Sequence, residues 1–316
     1  MPSGITTSSN TLVYPLTADG LNQAIQDLAE TSSSGGGGTI WIWEPMVLTS
    51  PVLLKSNISL DFQGNTVYLD RSSGGHTINF LYGTGVRHAQ VHNVTVLPHI
   101  AQTAPIIFLS PSTDHIEGNL FSNITIQNPY PLRRPSGNIS YPSHFYDGLL
   151  LRGSVHDIRR NNFNQITFTG VRHGIKFEVT EPATEPTSAS YVIEDNYLAN
   201  ITVDGFMTLV FFVDQTAPPS HFNRNTFEHL RGKASNYSIC GFCNISGNSN
   251  HFDHVGIDHS SLGFMLVDNP LDVLVSYSAE DTYICAQGLH EVVDGGWNTI
   301  LDPPSRPASS PLRQHY

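Results

Sequence analysis

A short unit of asparagine and apolar residues recurs through the middle of this chain, and it limits the possible folds more than any other feature. Asn119-Leu120-Phe121-Ser122-Asn123-Ile124-Thr125-Ile126 returns as Asn161-Asn162-Phe163-Asn164-Gln165-Ile166-Thr167-Phe168, and again as Asn196-Tyr197-Leu198-Ala199-Asn200-Ile201-Thr202-Val203. Shorter copies occupy residues 225–230 and 250–255, and residues 90–96 and 56–60 match the second half of the unit. Aligned on one apolar position, the copies bring together Ile58, Val94, Ile124, Ile166, Ile201, Leu230 and Val255, at intervals between 25 and 42 residues. A fixed core with variable insertions is one structural unit repeated with different loops. Such a unit cannot bury its apolar face alone, so neighbours must stack on it.

Each unit carries a second apolar run, at residues 78–81, 106–109, 149–151, 175–179, 209–213, 239–242 and 264–267. Two or three short runs of period two per 25–35 residues, bounded by Gly and Asn and with almost no helical periodicity, read as short strands and turns. The expected fold is all-β: a right-handed single-stranded parallel β-helix, in which each coil lies about 4.8 Å from the last. Ile124, Ile166 and Ile201 are then expected in one buried column. A short capping α-helix is expected over residues 20–30, N-capped by Asp19, with Leu21, Ile25 and Leu28 on one face. The implied organisation is an N-terminal segment with that helix and a Ser/Gly linker (1–38), the β-helix (39–301) and a Pro-rich tail (302–316).

Composition excludes several function classes. Charged residues make up 13% of the chain, the formal net charge is −12, and the lysines are Lys55, Lys176 and Lys233. Phosphate binding needs clustered basic groups, so a nucleic-acid partner is not expected. No segment approaches the ~20 apolar residues of a membrane helix, and residues 1–16 lack the basic start and apolar run of a cleaved leader. A virion protein released by lysis would need none, and the expected location is extracellular or on a virion surface. Cys240 and Cys243 have CxxC spacing without a second pair, which leaves buried packing, a local disulfide, or metal or redox work open.

The run from the helix through GGGGTIWIWEPMVLTSPVLLKSNISLDFQGNTVYL resembles the opening of pectate-lyase-like β-helix proteins, phage tailspikes included. The resemblance spans residues 17–300 at the level of fold. It implies a helix plugging one end, a glycine-rich link, and a strand that starts the first coil. It also implies working residues on the outer face of one parallel sheet, walled by inserted loops.

Three insertions, at 128–146, 180–190 and 215–220, flank the same strands, and long structureless loops are usually functional or disordered. Alternation turns Leu149, Leu151, Ile175, Phe177 and Val179 inward and Arg152, Lys176 and Glu178 outward. Aligning Leu149 with Ile175 sets Arg152 beside Glu178 and Asp147 beside His173. Lys176 or Arg152 could serve a uronate lyase as base or charge stabiliser, or Asp147 with Glu178 could form an acid/base pair for glycoside hydrolysis. The alternative is a solvated Arg–Glu ladder with a turn aspartate. Expected ligand contacts are Tyr130, Arg133, Arg134, Tyr141, His144 and Tyr146 in the first insertion, with His173 and Asp214 beside it.

Downstream, His221, His229, His251, His254 and His259 gather with Asp253 and Asp258, as turn histidines or, less simply, a two-His–carboxylate group. No metal or other cofactor is expected. Of seven Asn-x-Ser/Thr sequons, those at Asn57, Asn93, Asn123 and Asn200 occupy one repeat position and read as left-handed turn asparagines. Asn138, in the long loop, reads as a free acceptor. The leading functional expectation is a tailspike-like protein that recognises surface polysaccharide, assembled as a homotrimer. The rivals are a polysaccharide lyase or glycoside hydrolase, and a purely structural capsid or surface-layer component.

Overall fold

A computed structural model describes residues 4–8, 13–31, 36–99, 102–128, 146–179, 192–214, 221–233, 240–243, 250–258, 274–276, 282–287, 291–293 and 298–301. Among the described residues, apart from one helix, the regular structure is β, and almost all of the pairing is parallel. The helix runs Ala18–Glu30, and its N-cap is Thr17, whose hydroxyl accepts from the Gly20 N–H. Thr17 rather than Asp19 caps because it is the last residue with extended backbone; Asp19 lies in the first turn, where its charge suits the helix start. Leu21, Ala24, Ile25 and Leu28 pack into the core, so the helix closes its end of the apolar interior. Two strands the repeat did not signal, Ile5–Thr7 and Val13–Tyr14, pair with each other, and the first of them pairs antiparallel with Gly38–Ile42.

From there each repeat pairs in parallel with the next. Ile58–Asp61 lies on Gln90–Leu97, which lies on Leu120–Gln127, then on Asn162–Val179 and Tyr197–Asp214. Ile124 pairs with Ile166 and Ile166 with Ile201, all three without solvent exposure, so the column of like residues is present. Phenylalanines stack the same way: Phe121 on Phe163 at 4.9 Å and 5°, Phe177 on Phe212 at 4.9 Å and 3°, Phe227 on Phe252 at 4.4 Å and 2°. A separate four-stranded parallel sheet consists of two-residue strands, Ile116–Glu117, Ile158–Arg159, Ile193–Glu194 and Phe222–Asn223.

The repeat's leading asparagine has a role that the sequence alone did not disclose. Asn119, Asn161, Asn196, Asn225 and Asn250 are buried and bonded in one row. Each Nδ2 donates to the next Oδ1, at 2.8, 2.9, 2.9 and 3.1 Å, and that Oδ1 also accepts the preceding asparagine's backbone N–H. The second amide hydrogen reaches a main-chain carbonyl, as in Asn161 Nδ2 to Ile116 O. The row thereby satisfies main-chain groups at a bend where no strand partner is available.

Asn93, Asn123 and Asn200 do hold left-handed backbone (φ 61°, 53° and 53°), and so do Gln165, His229 and His254 at the same position. Asn57 also has positive φ but belongs to a different bend. Its strand pairs Ser59 with Gln90 and Leu60 with Val91, which sets Ile58 opposite Ala89 rather than Val94. Asn57 therefore aligns with His88, Gly118, Arg160, Asp195 and Arg224, a second row of left-handed residues. Cys240 and Cys243 lie in one strand, Cys240–Cys243, where an extended backbone separates residues three apart by about 10 Å, beyond disulfide reach. Among the described residues no helix is long and apolar enough to cross a membrane. Residues 264–267 and 302–316 lie outside the described residues.

Candidate functional site

The strand Leu149–Gly153 sits between Ile107–Leu109 and the second half of Asn162–Val179. Its register sets Leu149 against Ile175, Leu151 against Phe177 and Arg152 against Glu178. Leu149, Leu151, Ile175, Phe177 and Val179 are fully buried, while Arg152, Lys176 and Glu178 lie on the outer face.

On that face Glu178 joins two cations. Its Oε2 accepts from Arg152 Nε at 3.1 Å and Nη2 at 3.0 Å, and Lys176 Nζ lies 3.4 Å away. Lys176 and Glu178 are 13% and 12% exposed and Arg152 is 42% exposed, so the guanidinium is the group of the three most open to a ligand. Arg152 also lies over the Phe108 ring at 5.2 Å, and Lys176 Nζ is 5.8 Å from the centre of Phe211, both cation–π geometries.

Lys176 belongs to a register row across successive strands, Leu53, Tyr82, Phe108, Leu150, Lys176 and Phe211, in which Leu150 is 1% exposed. Tyr82 and Phe108 are half-buried, with ring centres 5.4 Å apart. These aromatics and Phe211 are absent from the sequence-based site. Period-two alternation in and beside their apolar runs was the available signal.

Asp147 is 1% exposed. Its two oxygens accept from Arg172 Nε and Nη2, both at 2.9 Å, a bidentate pair that ties the carboxylate to one cation. The hydrogen bond to Asp147 holds the Arg172 guanidinium above its ordinary pKa. Of the expected Asp147–Glu178 pair, each carboxylate thus faces a separate arginine. Arg172, which anchors this edge, is a residue the sequence did not single out.

His173 follows Arg172 and is 6% exposed, its ring 4.7 Å from Phe211. Burial pushes its pKa down to about 4; Asp147 opposes that shift, while Arg172 and Lys176 add to it. Its Nδ1 is buried without a hydrogen-bond partner. Tyr146 is 1% exposed, and its carbonyl accepts from the Arg172 N–H at 2.8 Å. Asp214 ends the strand Tyr197–Asp214 opposite Val179. Tyr130, Arg133, Arg134, Tyr141 and His144 lie outside the described residues.

Elsewhere, the His229 and His254 rings are 4.8 Å apart, and His254 Nδ1 is 2.9 Å from Asp253. Among the described residues no three His, Cys, Asp or Glu side chains are arranged to hold a metal ion. A depression of about 460 Å³ lined by Arg71, His76, Thr77 and Thr103 is broad and open to solvent, so it lacks the enclosure of a ligand cleft. No protein-family model matches the chain, and no curated protein is significantly similar to it.

Proposed function

We propose that this chain is a right-handed parallel β-helix of the pectate-lyase-like, tailspike type, and that the outer face around Arg152, Lys176 and Glu178 binds an extended surface polysaccharide. The in-register row of Leu53, Tyr82, Phe108, Leu150, Lys176 and Phe211 is the observation that carries the reading. Sugars present apolar ring faces beside hydroxyls, and a half-buried aromatic next to a charged hydrogen-bonding cluster meets both needs. The row spans six strands, roughly 24 Å at the strand spacing, which suits an extended chain rather than a monosaccharide. Arg152, 42% exposed, lies beside its centre on the strand of Leu150. The insertions 128–146, 180–190 and 215–220 adjoin these strands in sequence, as walls of a groove would. In this reading the protein is extracellular or virion-borne and works as a homotrimer, closed symmetry being the common outcome for identical subunits.

Binding without cleavage is favoured over lyase or hydrolase action, because both carboxylates of the face are already paired with arginines. A glycan array, followed by reducing-end and unsaturated-product assays on every hit, tests both statements. Phe108→Ala and Arg152→Ala should each weaken binding at least about tenfold while the melting temperature holds. Wild-type binding by both variants would refute the site, and product release lost in Glu178→Gln would refute binding alone.

A further inference from the structure

We propose that the candidate face contains a proton-operated exchange: on protonation the His173 imidazolium takes over Asp147, and the Arg172 guanidinium turns outward as an anion-binding group. The inference rests on reading this face as the ligand site, but the exchange itself can be observed without any glycan.

Among the described residues, the groups around His173 come from three elements. Asp147 comes from the segment entering Leu149–Gly153, Arg172 and Lys176 from its own strand, and Phe211 from the next, where Thr208 is its register partner. Glu178, further along, is occupied by Arg152 and Lys176. In the neutral state Arg172 takes both Asp147 oxygens, so His173 has no free carboxylate to face and Nδ1 stays unbonded in a buried place. Burial of a polar atom without a partner is costly, and such an atom calls for an explanation.

Adding one proton from solvent to the ring sets a second cation beside Arg172 at the one buried carboxylate Asp147, with Lys176 nearby on Glu178. One of the cations must rehydrate. His173 is 6% exposed and cannot, whereas the Arg172 side chain is 39% exposed and has a long stem that reaches water. The swap therefore costs least when Arg172 leaves and the imidazolium hydrogen-bonds Asp147. No covalent bond changes; one proton is taken up and one guanidinium is released. By linkage, an anion held by the freed Arg172 raises the proton affinity of His173, and protonation raises anion affinity by the same factor.

The test follows the His173 ring and the Arg172 Nε–H by NMR in the full chain, from neutral pH to about pH 3.5, with and without sulfate as the probe anion. Both signals should move with one midpoint, well below that of an ordinary histidine, and sulfate should raise proton affinity about threefold or more. In Arg172→Gln the sulfate effect should vanish, and in His173→Gln the Arg172 signal should stay on its carboxylate until acid unfolding. The proposal is overturned if Arg172 remains bonded to Asp147 throughout the His173 titration. A sulfate effect that survives in Arg172→Gln overturns it too, as does unfolding that precedes any ring titration with the ion pair intact. Exchange observed together with glycan-array silence would remove the ligand reading and leave the switch standing.

Discussion

Replacing Asn161 with alanine removes the second link of the buried amide row, and the structure fixes what is left behind. The Asn119 N–H loses its acceptor, Asn161 Oδ1, at 3.1 Å, and the Asn119 amide loses the 2.8 Å bond to the same atom while keeping its bond to Val86 O. Ile116 O and Asn196 Oδ1 each lose a donor, though Asn196 Oδ1 retains the main-chain N–H of residue 161. Two donor hydrogens are therefore stranded in a place with at most 2% exposure. At about 1–3 kcal/mol for each stranded buried donor, the loss is roughly 2–6 kcal/mol. The control is Asn123→Gly: that amide is exposed, donates only to Asn93 Oδ1, and sits at φ 53°, which glycine adopts freely. It should change stability by about 0.5 kcal/mol or less. Guanidinium unfolding followed by circular dichroism, with matched slopes, gives both numbers. If Asn161→Ala costs less than about 1 kcal/mol, the row is not a structural support and this account of the bend is wrong.

Ile166→Asp puts an unpaired charge at a position with no solvent exposure, several kcal/mol unfavourable; a soluble variant with unchanged melting temperature would sink the core column. Gly174→Ala would bring a Cβ to 2.9 Å from Leu209 O and 2.8 Å from Val203 Cγ2, so a loss of about 2 kcal/mol or more is expected from thermal melts. The His173 ring takes its proton near pH 6.5 when unfolded but near 4 when folded. The unfolded chain thus binds more protons between those values, and stability falls as pH drops through that window, by about 3 kcal/mol in all. His173→Phe should flatten that part of the stability–pH curve, and an unchanged acid slope would show that the ring is not the cause.

Much of the interior was legible because it depends on local alternation. Ile124, Ile166 and Ile201 each sit at the same place in a copied octapeptide, so their stacking follows from the copying. The outward positions of Arg152, Lys176 and Glu178 follow from the same period. What escaped depends on register between segments separated by loops of unequal length. Asn57 looked like Asn93 because both precede an apolar, polar, apolar run, yet pairing to Gln90 and Val91 moves it to another bend. The asparagine row and the Arg172–Asp147 pair are contacts across 25 to 42 residues, and nothing local distinguishes a buried asparagine from a turn asparagine or a paired arginine from a free one. Phe108 lies inside the apolar run 106–109 and Tyr82 directly follows the run 78–81, so neither stood out, although the pleat turns both away from the core.

The asparagine row has an electrical direction. Asn119, Asn161, Asn196 and Asn225 each direct one amide hydrogen and the main-chain N–H toward the following repeat, and every Oδ1 that accepts them points back, while the second amide hydrogen returns to a carbonyl of the preceding repeat. Aligned amides add their dipoles and polarise one another, as peptide groups do along a helix. The row therefore carries a partial positive charge at its Asn250 end and a partial negative charge at its Asn119 end, buried along the length of the sheet. A carboxylate placed just beyond Asn250 would be stabilised and a lysine there disfavoured, and cutting the row at its middle would leave two shorter, weaker dipoles in place of one.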